Sequence, residues 1–194
     1  MVITIKQQAQ RQAIITATVA LIEQNDIDSL TVRQVCKQAN IATGTFYHYF
    51  QNKDELLLSF IMESSFDDFV LHTPLDDIGG RIGELYWILI DKYLSFGKGF
   101  IQSFYTPGNR ALSAYMSQTR GQFLAGTVMA RCEKELQDAK DKQILQADSD
   151  VHELSVDICT LVKGLMFEYC LSDDEMNLRQ TLDRMIGRYL AGVI

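Results

Sequence analysis

Apolar residues recur every three to four positions along most of this 194-residue chain, and only two prolines, Pro74 and Pro107, interrupt the spacing. That period lines apolar side chains along one face of successive helices, and no stretch shows the strict alternation between turn clusters that marks a half-buried strand. The chain is therefore expected to be all-α. At 47% hydrophobic it has enough apolar surface for a core, built as one elongated domain or as a small head on a larger body.

The same composition narrows the function. Four cysteines (Cys36, Cys132, Cys159, Cys170) are scattered without a close pair, and three histidines (His48, His72, His152) lack metal-ligand spacing, so the thiols are expected to be reduced core residues. The N-terminal stretch lacks a signal-peptide layout and no apolar run is long enough to span a bilayer, which points to the cytoplasm and away from a membrane partner. The formal net charge is -7, which argues against nucleic acid until the chain is divided. Lys6, Arg11, Arg33, Lys37 and Lys53 balance Glu23, Asp26, Asp28, Asp54 and Glu55 in the first 60 residues, so the whole negative excess lies beyond them. A neutral head can approach DNA even when the body is acidic.

The head divides into short helices with readable ends. A first helix is expected from about Ile5 to Gln24, with Ile14, Ala17 and Leu21 on one face. Thr31-Val32-Arg33-Gln34 has the form of a capping box and opens a helix of about two turns, which Asn40 ends by accepting positive φ. A third helix starts at about Ala42. Asn52-Lys53-Asp54-Glu55 repeats the capping signature and opens a longer helix that is expected to run toward His72. Further helices are expected from Asp76 to about Phe96, within 110 to 146, from about Asp150 to Leu171 and from about Asp174 to Leu190.

The third helix carries the octapeptide TGTFYHYF, residues 43 to 50. Wound at helical pitch, it places Ala42, Phe46, Tyr49 and Phe50 on one side and Gly44, Thr45, Tyr47 and His48 on the other. Phe46 and Phe50 suit a core. A glycine on the outer face costs roughly 1 kcal/mol against alanine, a cost that makes sense where another surface must come close to the backbone. Two short helices joined by a tight turn, the second with a polar outer face, form a helix-turn-helix whose second helix enters a major groove.

The stretch LTVRQVCKQANIATGTFYHYFQNKDELL resembles the DNA-binding signature of TetR-type transcriptional regulators over about the first 60 residues. Three positions depart from the family pattern: Cys36 stands where alanine is usual, Asn40 where glycine is usual, and Ala42 replaces the usual serine or threonine cap of the recognition helix. The last change can cost that helix about 0.5 to 2 kcal/mol. The resemblance implies a helix-turn-helix head at 1–51, a connecting helix at 52–74 and a ligand-binding and dimerisation body at 75–194. It also implies a near-palindromic double-stranded operator, a small-molecule effector, a homodimer and no cofactor.

DNA-contacting roles follow position by position. Arg33 can reach a guanine edge or a phosphate, or can be a solvated helix charge. Thr43 and Thr45 offer hydroxyls and methyls, Gly44 allows close approach, Tyr47 and His48 can bond phosphate oxygens, and Lys53 adds charge at a helix start. In the body, large adaptable side chains crowd the stretch from Leu85 to Met129. Tyr86, Trp87, Phe100 and Phe104 mark an expected apolar pocket together with Tyr115, Met116 and Phe123, although each alone suits a plain core better and only the set points to a pocket. The last two helices carry two apolar stripes where one would suffice. Leu154, Ile158, Leu161 and Leu165, with Leu178, Leu182, Met185 and Tyr189, form the expected dimer interface, because two buried faces suggest a second subunit.

Two rival readings come from other classes. An enzyme would need a nucleophile beside a base or a carboxylate pair, and Glu84, Asp91 and Glu168 have no identifiable partners in the sequence. A helical interaction or ligand-binding module without DNA binding would also explain the acidic body; removal of the head without loss of function would support it.

Overall fold

In the computed structural model the described residues are 5–24, 29–62, 65–95, 97–104, 121–172 and 176–194. They form helices α1 (Ile5–Gln24), α2 (Val32–Gln38), α3 (Thr43–Tyr49), α4 (Lys53–Met62), α5 (Ile78–Ser95), α6 (Lys98–Phe104), α7 (Val128–Asp141), α8 (Val151–Leu171) and α9 (Leu178–Leu190), with a 3-10 turn at Phe66–Asp68. No strand occurs among them, so the architecture is all-α. No helix among them is long and apolar enough to cross a membrane. The first part of the stretch from 110 to 146, where helix is expected, lies outside the described residues.

The chain separates into two compact units, Met1–Glu63 with Phe96–Tyr115, and Ser64–Ser95 with Met116–Ile194. In the first, α1 packs on α2 and α2 on α3. Ile14 and Ile15 of α1, Val35 and Cys36 of α2, Phe46 and Phe50 around α3, and Leu56 and Leu57 of α4 are all buried.

In the second unit α5 packs on α7 and α9, and α8 packs on the same two helices, which closes a four-helix ring. Ile82, Leu85 and Ile90 face inward from α5, Met129 and Leu136 from α7, Ile158 and Leu165 from α8, and Leu182 and Ile186 from α9. Helices α5 and α9 approach closely where glycines meet: a Cβ on Gly79 would lie 3.6 Å from the Gly187 Cα, and one on Gly83 only 2.6 Å from an Asp183 carboxylate oxygen. Cys36, Cys132, Cys159 and Cys170 are buried free thiols, as expected. Burial pushes the Cys132 thiol up to about 12, so it stays protonated and unreactive at neutral pH.

One expected element is shorter in the structure. The fourth helix ends at Met62 rather than continuing toward His72, and Ser65 caps the 3-10 turn with its hydroxyl. Side chains distant in sequence take over the backbone groups that a longer helix would have used. Arg131 donates to the carbonyls of Phe66 and Asp67, Arg81 donates to that of Thr73, and Glu84 accepts from the amides of His72 and Thr73. Glu84, which the sequence leaves without a partner, is thus a structural acceptor. Partial burial works to raise its carboxyl, but the two amides outweigh burial and hold it below its ordinary value.

Candidate nucleic-acid interface

The helix-turn-helix is built from two local devices. At the start of α2 the Thr31 hydroxyl accepts from the Gln34 amide at 3.2 Å while the Gln34 side chain accepts from the Thr31 amide at 2.8 Å, a complete capping box. At its end Ala39 donates to Val35 and Asn40 takes φ +52°, which turns the chain so that the Ile41 amide reaches the Cys36 carbonyl at 3.0 Å. Asparagine tolerates this left-handed backbone better than most residues.

Helix α3 follows from Ala42, which is extended and contributes no side-chain cap. Its inner side is fixed by rings and by one long-range bond. Phe46 and Phe50 are almost fully buried with ring centroids 5.8 Å apart, and the Tyr49 hydroxyl donates to Gln10 of α1 at 2.9 Å. The Arg11 guanidinium lies 5.2 Å from the centre of the Phe50 ring. The sequence pattern identifies Phe46 and Phe50 as core but gives no sign of the Gln10 and Arg11 ties, since both partners lie about 39 residues away.

The outer side of α3 presents the candidate contacts. Thr43, Gly44, Tyr47 and His48 are exposed, and Thr45 is half-buried. Tyr47 is 55% exposed although its ring makes an edge-to-face contact with Phe46, with centroids 5.4 Å apart. A Cβ built on Gly44 would meet nothing within 4 Å, so the protein itself does not require glycine there. Arg33 is exposed on the first turn of α2. Lys53 is half-buried at the first position of α4, where the Asn52 side chain accepts from the Glu55 amide and Glu55 accepts from the Gln51 amide. The Asn52 side chain thus caps α4 as the second capping signature expects, while Glu55 reaches one residue further back, to the Gln51 amide.

The expected pocket residues do not converge on one site. Tyr86 is buried within the helix ring, its hydroxyl without a hydrogen-bond partner among the described residues and close to the Cys132 and Cys159 thiols. Trp87 lines a recess of about 490 Å³ with Leu94, Tyr169 and the start of α9. Phe123 lines a different one of about 560 Å³, where its ring stacks on His152 with centroids 4.7 Å apart. Tyr115, Met116 and the side chains of Phe100 and Phe104 lie outside the described residues.

The structure also redraws the expected dimer face. Leu154, Ile158, Leu165, Leu178 and Leu182 are buried inside the protomer's own helix ring. Leu161, Met185 and Tyr189 are half-buried, and the Tyr189 hydroxyl donates to Asp157 at 2.6 Å. The exposed face of α8 instead carries Thr160, Gly164, Phe167 and Leu171 at spacings of four, three and four, which places them in one line.

Comparison with known proteins places this head among regulators. A family profile described as bacterial regulatory proteins, tetR family, matches residues 14–60. An uncharacterised HTH-type transcriptional regulator of Haemophilus influenzae is 43% identical over 49 residues, 25% of this chain and 26% of that protein. The fatty acid metabolism regulator protein of Bacillus subtilis is 42% identical over 50 residues, 26% of each chain. These matches span about a quarter of the length of the curated relatives. Among solved structures, Thermus thermophilus FadR, a TetR-family transcriptional repressor in complex with lauroyl-CoA, superposes with a TM-score of 0.71 at 16% identity, covering 95% of both chains. RolR in complex with resorcinol gives 0.62 at 20% identity, covering 94% of this chain and 88% of its own. At these identities the structural likeness shows the fold.

Proposed function

We propose that the chain, whose residues 14–60 match the tetR-family profile and whose fold is that of TetR-family structures, is a TetR-family member and a sequence-specific DNA-binding transcriptional regulator, a repressor released by a small, largely apolar or aromatic ligand. The observation that carries this reading is the outer face of α3. It is exposed, hydroxylated and aromatic, and it opens at Gly44 where no intramolecular neighbour needs the space. A groove wall of sugars and phosphates is the kind of surface that would approach a backbone there.

The residues then have distinct tasks. Gly44 lets the α3 backbone come close, Tyr47 and His48 bond phosphate oxygens, and Thr43 and Thr45 meet base edges or sugar. Lys53 supplies charge at the start of α4, and Arg33 reads a base edge from α2. Two such heads in a homodimer engage a near-palindromic operator with half-sites roughly 34 to 36 Å apart or a multiple of that. The protein works in the cytoplasm and acts by binding, not as an enzyme. The lauroyl-CoA bound by FadR and the resorcinol bound by RolR support a ligand-released mechanism.

Selection of duplexes from a random pool tests this directly. A bound near-palindrome whose affinity falls steeply with salt is the expected result. Lys53→Ala should weaken binding to all duplexes and lower the salt slope, whereas Arg33→Ala should relax preference at one position by about 1 to 3 kcal/mol. Recovery of no sequence above the random pool would sink the proposal.

A further inference from the structure

The recess beside Trp87 combines apolar and aromatic walls with one guanidinium. Its walls come from the C-terminal half of α5 (Trp87, Leu94), the end of α8 (Tyr169) and the start of α9 (Met176, Arg179), and its volume of about 490 Å³ suits a small molecule. Arg179 gives the recess its polarity. The guanidinium lies 5.5 Å from the centre of the Trp87 ring, and its Nε donates to Asp183 at 2.9 Å. These two contacts hold the guanidinium beside the indole ring. Its two terminal nitrogens, a pair that can grip a carboxylate, have no protein partner among the described residues. Leu94, Met176 and Tyr169 provide apolar and aromatic surface beside that fork.

We propose that this recess binds a small aromatic monocarboxylate, its carboxylate held by the terminal nitrogens of Arg179 and its ring against Tyr169, Met176 and Leu94. Charge selects the class. The recess offers one guanidinium, already paired with Asp183. A polyanion would find one paired cation and no second positive group among the described lining residues. An organic cation would have to displace Arg179 from the Trp87 face, the position where a cation gains most. A neutral ring would gain the apolar contacts but leave the guanidinium fork empty. This inference rests on the ligand-released reading given above and specifies its ligand.

Trp87 is the only tryptophan of the chain, so its emission reports on the recess directly. Full-length protein without DNA is titrated with 4-chlorobenzoate, 4-chlorobenzyl alcohol, 4-chlorobenzyltrimethylammonium and lauroyl-CoA. The acid should change the emission to saturation, with the alcohol roughly tenfold weaker, in line with a charge-assisted hydrogen bond, and neither the cation nor the thioester should saturate. Arg179→Gln should reduce the affinity for the acid to that for the alcohol and leave the alcohol unchanged, while Arg179→Lys should fall between. Equal binding of acid and alcohol, tighter binding of the cation or the thioester, absence of any saturable change, or an acid affinity indifferent to Arg179→Gln would each overturn the proposal. If the glutamine variant does not fold, the acid-to-alcohol ratio of the natural protein decides. A second titration on the selected operator separates the two readings. If 4-chlorobenzoate saturates the recess without altering operator affinity, ligand release through this site falls and the site stands; if operator affinity responds only to ligands that do not touch Trp87 emission, the site falls and ligand release stands.

Discussion

Two single residues show how differently a sequence position can be constrained. Glu135 is constrained from inside. Its carboxylate bonds Arg81 Nε and Arg131 Nε, each at 2.6 Å, with only 4% of its side chain exposed, and both arginines hold backbone carbonyls of the 65–73 segment. Burial works to raise its carboxyl, but the two guanidinium groups outweigh burial and keep it below its ordinary value. A carboxylate depressed in the folded state contributes stability that is fully present above its unfolded value and is lost as pH falls through the folded one. Melting temperature should therefore drop more steeply below about pH 4.5 in the natural protein than in Glu135→Gln. At neutral pH the same substitution should cost about 3 to 5 kcal/mol, because it strands two poorly exposed arginines; denaturant titration measures this. Gly44 is constrained from outside. An added Cβ has open space, and alanine is the better helix former by up to ~1 kcal/mol. Gly44→Ala should thus leave the melting temperature equal or higher while operator affinity falls, and Gly44→Leu should abolish binding in a folded protein. An unchanged affinity for both variants would remove the close-approach role of α3.

At the scale of elements, what was legible in the sequence is what is local. The capping box at Thr31, the positive φ of Asn40, the cap at Asn52 and the burial of Phe46 and Phe50 each depend on residues within four positions, and the structure shows each of them. The end of α4 was not legible, because arginines and a glutamate from α5 and α7 compete for the same backbone groups. Nor could periodicity alone separate core from interface. An apolar stripe at helical spacing reads the same whether it faces α7 of its own chain or a second subunit, and only the closed ring of α5, α7, α8 and α9 assigns Leu154 and Leu182 to the core. The missing cap of α3 offers a test of local reasoning. Ala42 is already extended, at φ -73° and ψ 149°, the conformation an N-cap needs, yet it has no side-chain acceptor. Ala42→Ser should raise stability by about 0.5 to 2 kcal/mol, read from the denaturant midpoint of the full chain. A neutral or negative effect would show that the start of α3 is shaped by the turn and not by its own caps.

At the scale of the whole molecule, the proposed function asks an acidic chain to bring two nearly neutral heads to a polyanion. With a net charge of -7 the field of the molecule opposes DNA at low salt, so affinity must come from short-range contacts doubled by symmetry. The proposed function therefore requires a dimer, and the exposed line on α8 is its candidate seam. Phe167 is 45% exposed and Leu171 63%, an unusual pair of large apolar groups on one helix, and Gly164 between them and Thr160 leaves room for a partner backbone to come near. Two substitutions on the same helix then separate seam from core. Phe167→Glu places a charge in the proposed seam and should shift the protein from dimer to monomer in sedimentation at micromolar concentration, with operator affinity lost in parallel. Leu154→Ala removes a side chain that is 7% exposed and faces inward, so it should lower stability by about 2 to 5 kcal/mol while the surviving folded protein remains dimeric. If Leu154→Ala dissociates the dimer and Phe167→Glu does not, the seam lies elsewhere, and the exposed line on α8 must then serve some other contact.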